Sequence, residues 1–114
     1  MKVKVEEPRP RVFVVAPEGD VDMSSSPEVR KAMAPLFRQG TAQVIVDLSA
    51  VPYMDSSGIA TLIEGLQLSH KESIRFILAG MSPSVEAAFE LAHLKDVFEV
   101  LPDAQRALEE GSIR

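Results

Sequence analysis

The sequence predicts an α/β fold: a mixed β-sheet of four to five strands, with a parallel core and an antiparallel N-terminal edge, packed against about four helices. Three observations predict it. Apolar runs of strand length alternate with segments of helical period along most of the chain. Two of those runs, Val44-Ile45-Val46-Asp47-Leu48 and Ile74-Arg75-Phe76-Ile77-Leu78-Ala79, are nearly continuous and rich in branched side chains, as strands covered on both faces are. Two further runs lie at the N-terminus with only Pro8-Arg9-Pro10 between them, which makes them a hairpin.

Residues 2–6 alternate Val3 and Val5 with charge, which suits an edge strand with one wet face, and residues 11–16 form the second strand. Pro8 and Pro10 remove backbone donors and place the connecting turn between them. Glu18-Gly19-Asp20 ends the second strand. A first helix follows, with Ser25 or Ser26 as N-cap, Pro27 in the first turn and Glu28 spaced for a capping box with Ser25. Its apolar stripe is Val29, Ala32, Met33, Leu36 and Phe37; Pro35 within it predicts either a kink or an early end. The second helix starts at Ser56-Ser57-Gly58, and Ile59, Leu62, Ile63 and Leu66 fall at i, i+3, i+4 and i+7 of one buried face. Ser82-Pro83 starts a third helix with face Val85, Ala88, Phe89 and Ala92. Residues 97–101 form a short last strand, and Pro102-Asp103 opens a final helix carrying Ala104, Ala107 and Leu108. Strands separated by helices imply right-handed crossovers. No repeat, linker or low-complexity segment interrupts the chain, so residues 1–114 are expected to form a single domain.

Composition excludes several classes of function. The chain has 114 residues, 46% apolar and 25% charged, which is ordinary for a globular fold. It contains no cysteine, so disulfides, thiolate metal sites and a thiol nucleophile are ruled out. Net charge is −5 and the basic residues are scattered among acids, without the basic stripe and interleaved aromatics that nucleic acid requires. The N-terminus lacks the apolar core of a signal peptide, and no apolar run approaches the ~20 residues that span a bilayer. The expectation is a cytoplasmic protein, without membrane insertion. GxGxxG, P-loop, GxSxG and HExxH patterns are absent, and His70 and His93 stand apart from other ligand types. No catalytic residue, metal ligand or cofactor is assigned, and no enzymatic activity is expected.

Sites on parallel sheets gather beyond the carboxyl ends of the strands. Three turns are predicted there: residues 19–26, 52–58 and 80–84. The middle one, Tyr53-Met54-Asp55-Ser56-Ser57-Gly58, is the most informative. Its serines stand where a helix begins, with unsatisfied N–H groups and about half a positive charge from the dipole. Those donors suit a capping serine, and they equally suit a phosphoserine. Gly58 is expected to leave the backbone open to an approaching protein. Asp55 opposes a phosphate as a like charge next door, which favours a switch over a permanent modification. On spacing alone the turn is either a capped helix start, the commoner use of these residue types, or a modifiable binding turn. Tyr53 and Met54 are either rim contacts or packed against loops. Asp20 and Asp22 are either part of a docking surface or turn and cap residues, and Ser82 is mainly a helix start. Asp47 is expected to hydrogen-bond a loop at its strand's end.

The run Val44-Ile45-Val46-Asp47-Leu48-Ser49 followed by Tyr53-Met54-Asp55-Ser56-Ser57-Gly58-Ile59 resembles the STAS domain of bacterial anti-sigma factor antagonists. Gly19-Asp20-Val21-Asp22, Gly80-Met81-Ser82-Pro83-Ser84-Val85 and Leu94-Lys95-Asp96-Val97-Phe98 match in the same order over almost the whole chain. The resemblance implies that Ser56 is the phosphoacceptor, with Ser57 as the alternative if the turn is shifted. It further matches Asp55, Ser57 and Gly58 to the rest of the recognition turn; with the loop residues weighed above, the candidate partner-binding frame is Asp20, Asp22, Tyr53, Met54, Asp55, Ser57, Gly58 and Ser82. The implied partners are a GHKL-type anti-sigma factor serine kinase, bound when Ser56 is unphosphorylated so that a sigma factor is released, and a PP2C-type phosphatase. The family also includes constitutive subunits of lipid-trafficking ABC transporters and of stress-sensing assemblies, which is the alternative role. Three departures stand out: Ile59-Ala60 replaces the common Leu-Gly, stiffening the first helical turn by up to ~1 kcal/mol. Residues 70–73 lack the usual glycine, and Gly65 lies inside a helix, as close packing would require.

Overall fold

The computed structural model describes residues 1–112, so the last two residues of the predicted domain lie outside the described part. Five strands, β1 (Lys2–Arg9), β2 (Val12–Glu18), β3 (Gln43–Asp47), β4 (Arg75–Ala79) and β5 (Glu99–Leu101), form one sheet in chain order. β1 pairs antiparallel with β2, and every later pair is parallel. Four helices accompany them: α1 (Ser26–Met33), α2 (Ser56–Glu72), α3 (Pro83–Leu91) and α4 (Ala104–Ser112). The predicted mixed sheet and its antiparallel edge are therefore present, with every element of the expected order.

Strand alternation divides the core in two. Phe13, Val15, Val44, Val46, Phe76 and Leu78 point to one face and pack with Val29 and Met33 of α1, Leu62 of α2, and Val85 and Phe89 of α3. The opposite side chains Val12, Ile45, Ile77 and Ala79 pack against α4, through Ala107 and the partly buried Ala104 and Leu108. Burying a side chain of this size contributes about 1.5–3 kcal/mol, so the first face dominates stability.

Several local expectations are corrected. The hairpin turn lies at Pro10-Arg11, and Pro8 sits within β1, where the register shifts between Glu6 and Arg9. A proline is tolerated there because β1 is an edge strand and its outer side needs no donor. Pro35 ends α1 rather than kinking it: the helix stops at Met33 and a 3-10 turn over Ala34–Leu36 follows. The Ser25 capping box does not form, because the Ser25 hydroxyl donates to Asp20 O (2.8 Å) and accepts from Asp22 N (2.9 Å) instead. On α2 the deepest residues are Gly58, Thr61, Leu62, Gly65 and Ser69, while Ile59, Ile63 and Leu66 are only partly buried. The helix is rotated toward its small residues so that it can approach α1 and the sheet closely. A Cβ on Gly65 would come within 2.9 Å of Met33 Cε and 3.0 Å of Phe76 Cζ, the close packing that an internal glycine suggested. Asp47 accepts from Ser49 N at 3.0 Å, as expected.

Candidate functional site

All three predicted turns lie beyond the carboxyl ends of β2, β3 and β4. Two of them are joined directly. Gly19 N donates to Ala50 O (2.9 Å), Val21 N to Tyr53 O (3.0 Å), and Asp55 N to Val21 O (3.1 Å). These bonds extend the parallel β2–β3 pairing outward as a bridge between Val21 and Met54. Asp20 and Asp22 are thus held on the loop beside Tyr53, Asp55, Ser56 and Ser57. Such zipped loops offer a partner a fixed backbone rather than one that must be ordered on binding.

The N-cap of α2 is Asp55, not a serine. Its Oδ1 accepts from Ser57 N (2.9 Å), Gly58 N (3.3 Å) and the Ser57 hydroxyl (2.6 Å). A carboxylate is favoured here because it accepts several bonds at once and faces the positive end of the helix dipole. The Ser57 hydroxyl bond holds the Asp55 carboxyl below the ordinary carboxylate value, helped by the two backbone bonds and opposed by partial burial and the charge of Asp22. Asp22 is lowered in the same direction, chiefly by the hydroxyl and then the N–H of Ser24. Asp22 therefore fastens the residues entering α1, accepting from Ser24 N (2.9 Å), Ser24 Oγ (2.7 Å) and Ser25 N (3.1 Å).

The two serines differ. Ser57 is half-buried and its hydroxyl is committed to Asp55. Ser56, the first residue of α2, is exposed, and its hydroxyl has no hydrogen-bond partner among the described residues. A nucleophile must be reached and desolvated by its co-substrate, and only Ser56 meets that requirement without breaking an existing bond.

Two members of the expected binding frame lie beneath the surface. Met54 is 3% exposed, and Gly58 is buried against it: a Cβ on Gly58 would stand 2.5 Å from Met54 Cγ and 2.9 Å from Val21 Cγ1. Gly58 is needed for internal packing rather than for an open approach, and both residues shape the turn from below. Tyr53, by contrast, is 49% exposed. Ser82 stands at the same end of the sheet as the N-cap of α3, accepting from Val85 N at 3.3 Å, and no hydrogen bond joins it to the serine turn among the described residues. Met23 was not singled out from the sequence, yet it is 81% exposed on the Asp22 loop. The available signal was an apolar residue inside an Asp- and Ser-rich loop, off any helical stripe. His70 and His93 are both exposed. No helix among the described residues is long and apolar enough to cross a membrane.

Comparison with known proteins agrees with this geometry. The family model of the STAS domain matches residues 4–107. The anti-sigma-B factor antagonist of Staphylococcus aureus (strain NCTC 8325 / PS 47) is 28% identical over 90 residues, covering 79% of this chain and 83% of that protein. The crystal structure of an anti-sigma factor antagonist from Mycobacterium paratuberculosis superposes with a TM-score of 0.86 at 25% identity, over 97% of this chain and 93% of the other. The Bacillus cell fate determinant SpoIIAA in its phosphorylated form shares the fold, with a TM-score of 0.76 at 19% identity over 99% of this chain and 100% of the other. With a family model that matches nearly the whole chain and the same fold in solved relatives, this protein belongs to the STAS domain family.

Proposed function

We propose that the chain is an anti-sigma factor antagonist whose binding is switched by phosphorylation of Ser56. In the unmodified state the serine turn docks on a GHKL-type anti-sigma factor kinase, which lets go of its sigma factor. The kinase then transfers the γ-phosphoryl group of ATP to Ser56 Oγ, with ADP leaving and the hydroxyl proton passing to a base on the kinase. A PP2C-type phosphatase hydrolyses the phosphoserine and resets the cycle. In this reading the chain is the substrate and does no chemistry of its own.

The observation that carries the reading is the division of labour between the two serines. Ser57 Oγ donates to Asp55 at 2.6 Å, whereas Ser56 is exposed and unengaged at the helix N-terminus. The relatives named above are anti-sigma factor antagonists, which supports an anti-sigma factor as the partner class. Physically, a phosphate on Ser56 takes the net charge from −5 to about −7, all of it added beside Asp55 and Asp22. The positive end of the α2 dipole favours that dianion in the free protein, while a tight interface would have to desolvate it next to two carboxylates. Both effects favour release.

Titration calorimetry against the GHKL-type kinase of the same organism tests this. Ser56→Ala is expected to bind as the unmodified chain does, and Ser56→Asp to bind at least tenfold more weakly, about 1.4 kcal/mol. With ATP present, phosphate should enter the wild type and Ser57→Ala but not Ser56→Ala. Equal binding by Ser56→Ala and Ser56→Asp would turn the reading toward a constitutive subunit.

A further inference from the structure

We propose that the free edge of β1 is a self-association surface, through which two copies of this chain pair antiparallel with Val5 facing Val5 across a two-fold axis. β1 is the first strand of the sheet and pairs only with β2, so its outer edge is uncovered among the described residues. At eight residues it is a long edge, with a row of unpaired N–H and C=O groups. Edges of this kind are normally guarded by charge, and here the guarding charges change sign along the strand: Lys2 and Lys4, then Glu6 and Glu7.

That order selects one self-register. Facing residues in an antiparallel pair must present their backbone groups in the same sense, so a strand paired with itself aligns odd residues with odd and even with even. Centring on Lys4 or on Glu6 sets like charges against each other at the axis, and centring on Val3 sets Lys2 against Lys4. Centring on Val5 sets Lys4 against Glu6 on both sides of the axis, with the half-exposed Val5 (43%) meeting its own copy. Lys4 and Glu6 both face the groove between β1 and α4. Within the chain, Lys4 reaches Glu18 only at 3.8 Å, and Glu6 has no ion-pair partner among the described residues. In the pair, Lys4 would stand between its own Glu18 and the Glu6 of the second copy. The register also brings the irregular stretch at Pro8, which lacks an N–H, toward Lys2 of the second copy, and the pairing ends there on both sides.

The two-fold axis makes strands β2 to β5 of the two copies run in opposite directions. The two serine turns therefore lie at opposite ends of the joined sheet, open to partners, and the inference stands independently of how those turns are used. A five-residue edge contact is small against the roughly 1,200–2,000 Å² of a standard interface, so the dimer is expected to be weak, at about 100 μM.

Sedimentation equilibrium of the full chain from about 10 μM to 1 mM reads this directly, with thermal unfolding confirming that each variant is folded. The expected result is a monomer–dimer equilibrium that Val5→Lys weakens by roughly tenfold. Glu6→Lys, which removes no ion pair among the described residues, should weaken it similarly, and Lys4→Glu combined with Glu6→Lys should restore it. A chain that stays monomeric throughout, a dimer that neither Val5→Lys nor Glu6→Lys moves, or a double variant that fails to recover would each overturn the proposal.

Discussion

Within the serine turn, neighbouring residues of similar type serve different ends, and burial decides which. Gly58 and Gly65 both lack a side chain for packing reasons, but their neighbours differ. A methyl group on Gly65 would press on the flexible ends of Met33 and Phe76, at 2.9 and 3.0 Å. One on Gly58 would overlap the middle of Met54 at 2.5 Å, and Met54 is itself pinned by its bridge to Val21. Gly58→Ala should therefore destabilise the protein by about 1–3 kcal/mol through overpacking, offset in part by the better helix propensity of alanine. Gly65→Ala should cost less. Urea denaturation of the two variants checks the order. Because Met54 and Gly58 support the turn from below, Gly58→Ala should also weaken partner binding although residue 58 is buried.

At the scale of elements, α2 links the site to the core. Its first turn is capped by Asp55 and presents Ser56, and its middle packs small residues against α1, where Arg30 Nε reaches Glu64 Oε2 at 3.0 Å. Its far end is less well made. Ser73 terminates the helix in the left-handed conformation at φ +57°, a backbone state that costs a residue with a Cβ about 1 kcal/mol and that glycine adopts freely. The glycine missing from residues 70–73 is missing at this point. Ser73→Gly should raise stability by about 0.5–1 kcal/mol and leave binding at the opposite end of the helix unchanged, which thermal unfolding and calorimetry together would show.

For the whole molecule, the zipped loops make acid a specific stress. Asp22 and Asp55 have carboxyls lowered in the folded state from an ordinary value of 3.8, so folding favours their ionised forms. The stability they add is fully present above that ordinary value and is lost as pH falls below it, through the lowered folded values. Denaturation midpoints should therefore hold from pH 7 to about 5 and then drop, and Asp22→Asn with Asp55→Asn should flatten that drop. The two groups also repel each other, so relief of that repulsion on protonation offsets part of the loss.

Much of this architecture is legible in the amino-acid order. The buried strands β3 and β4 are apolar runs, α2 opens where an Asp-Ser-Ser-Gly turn interrupts one, and the alternating β1 is a wet edge; each depends on neighbours in the chain. Pro35 permits either outcome, because a proline breaks the local hydrogen bonding but whether the helix bends or stops depends on what packs beyond it. The element order, the mixed sheet and the serine turn as the distinctive feature all follow from residue types and their spacing. The tertiary structure alone decided which residues of that turn face outward. The bridge between Val21 and Met54 draws Met54 and Gly58 under the surface, while the local Asp55 cap engages Ser57 and leaves the Ser56 hydroxyl without a partner among the described residues. That bridge joins loops separated by an entire helix and strand, and pairing over such a distance leaves no periodic trace in the local sequence.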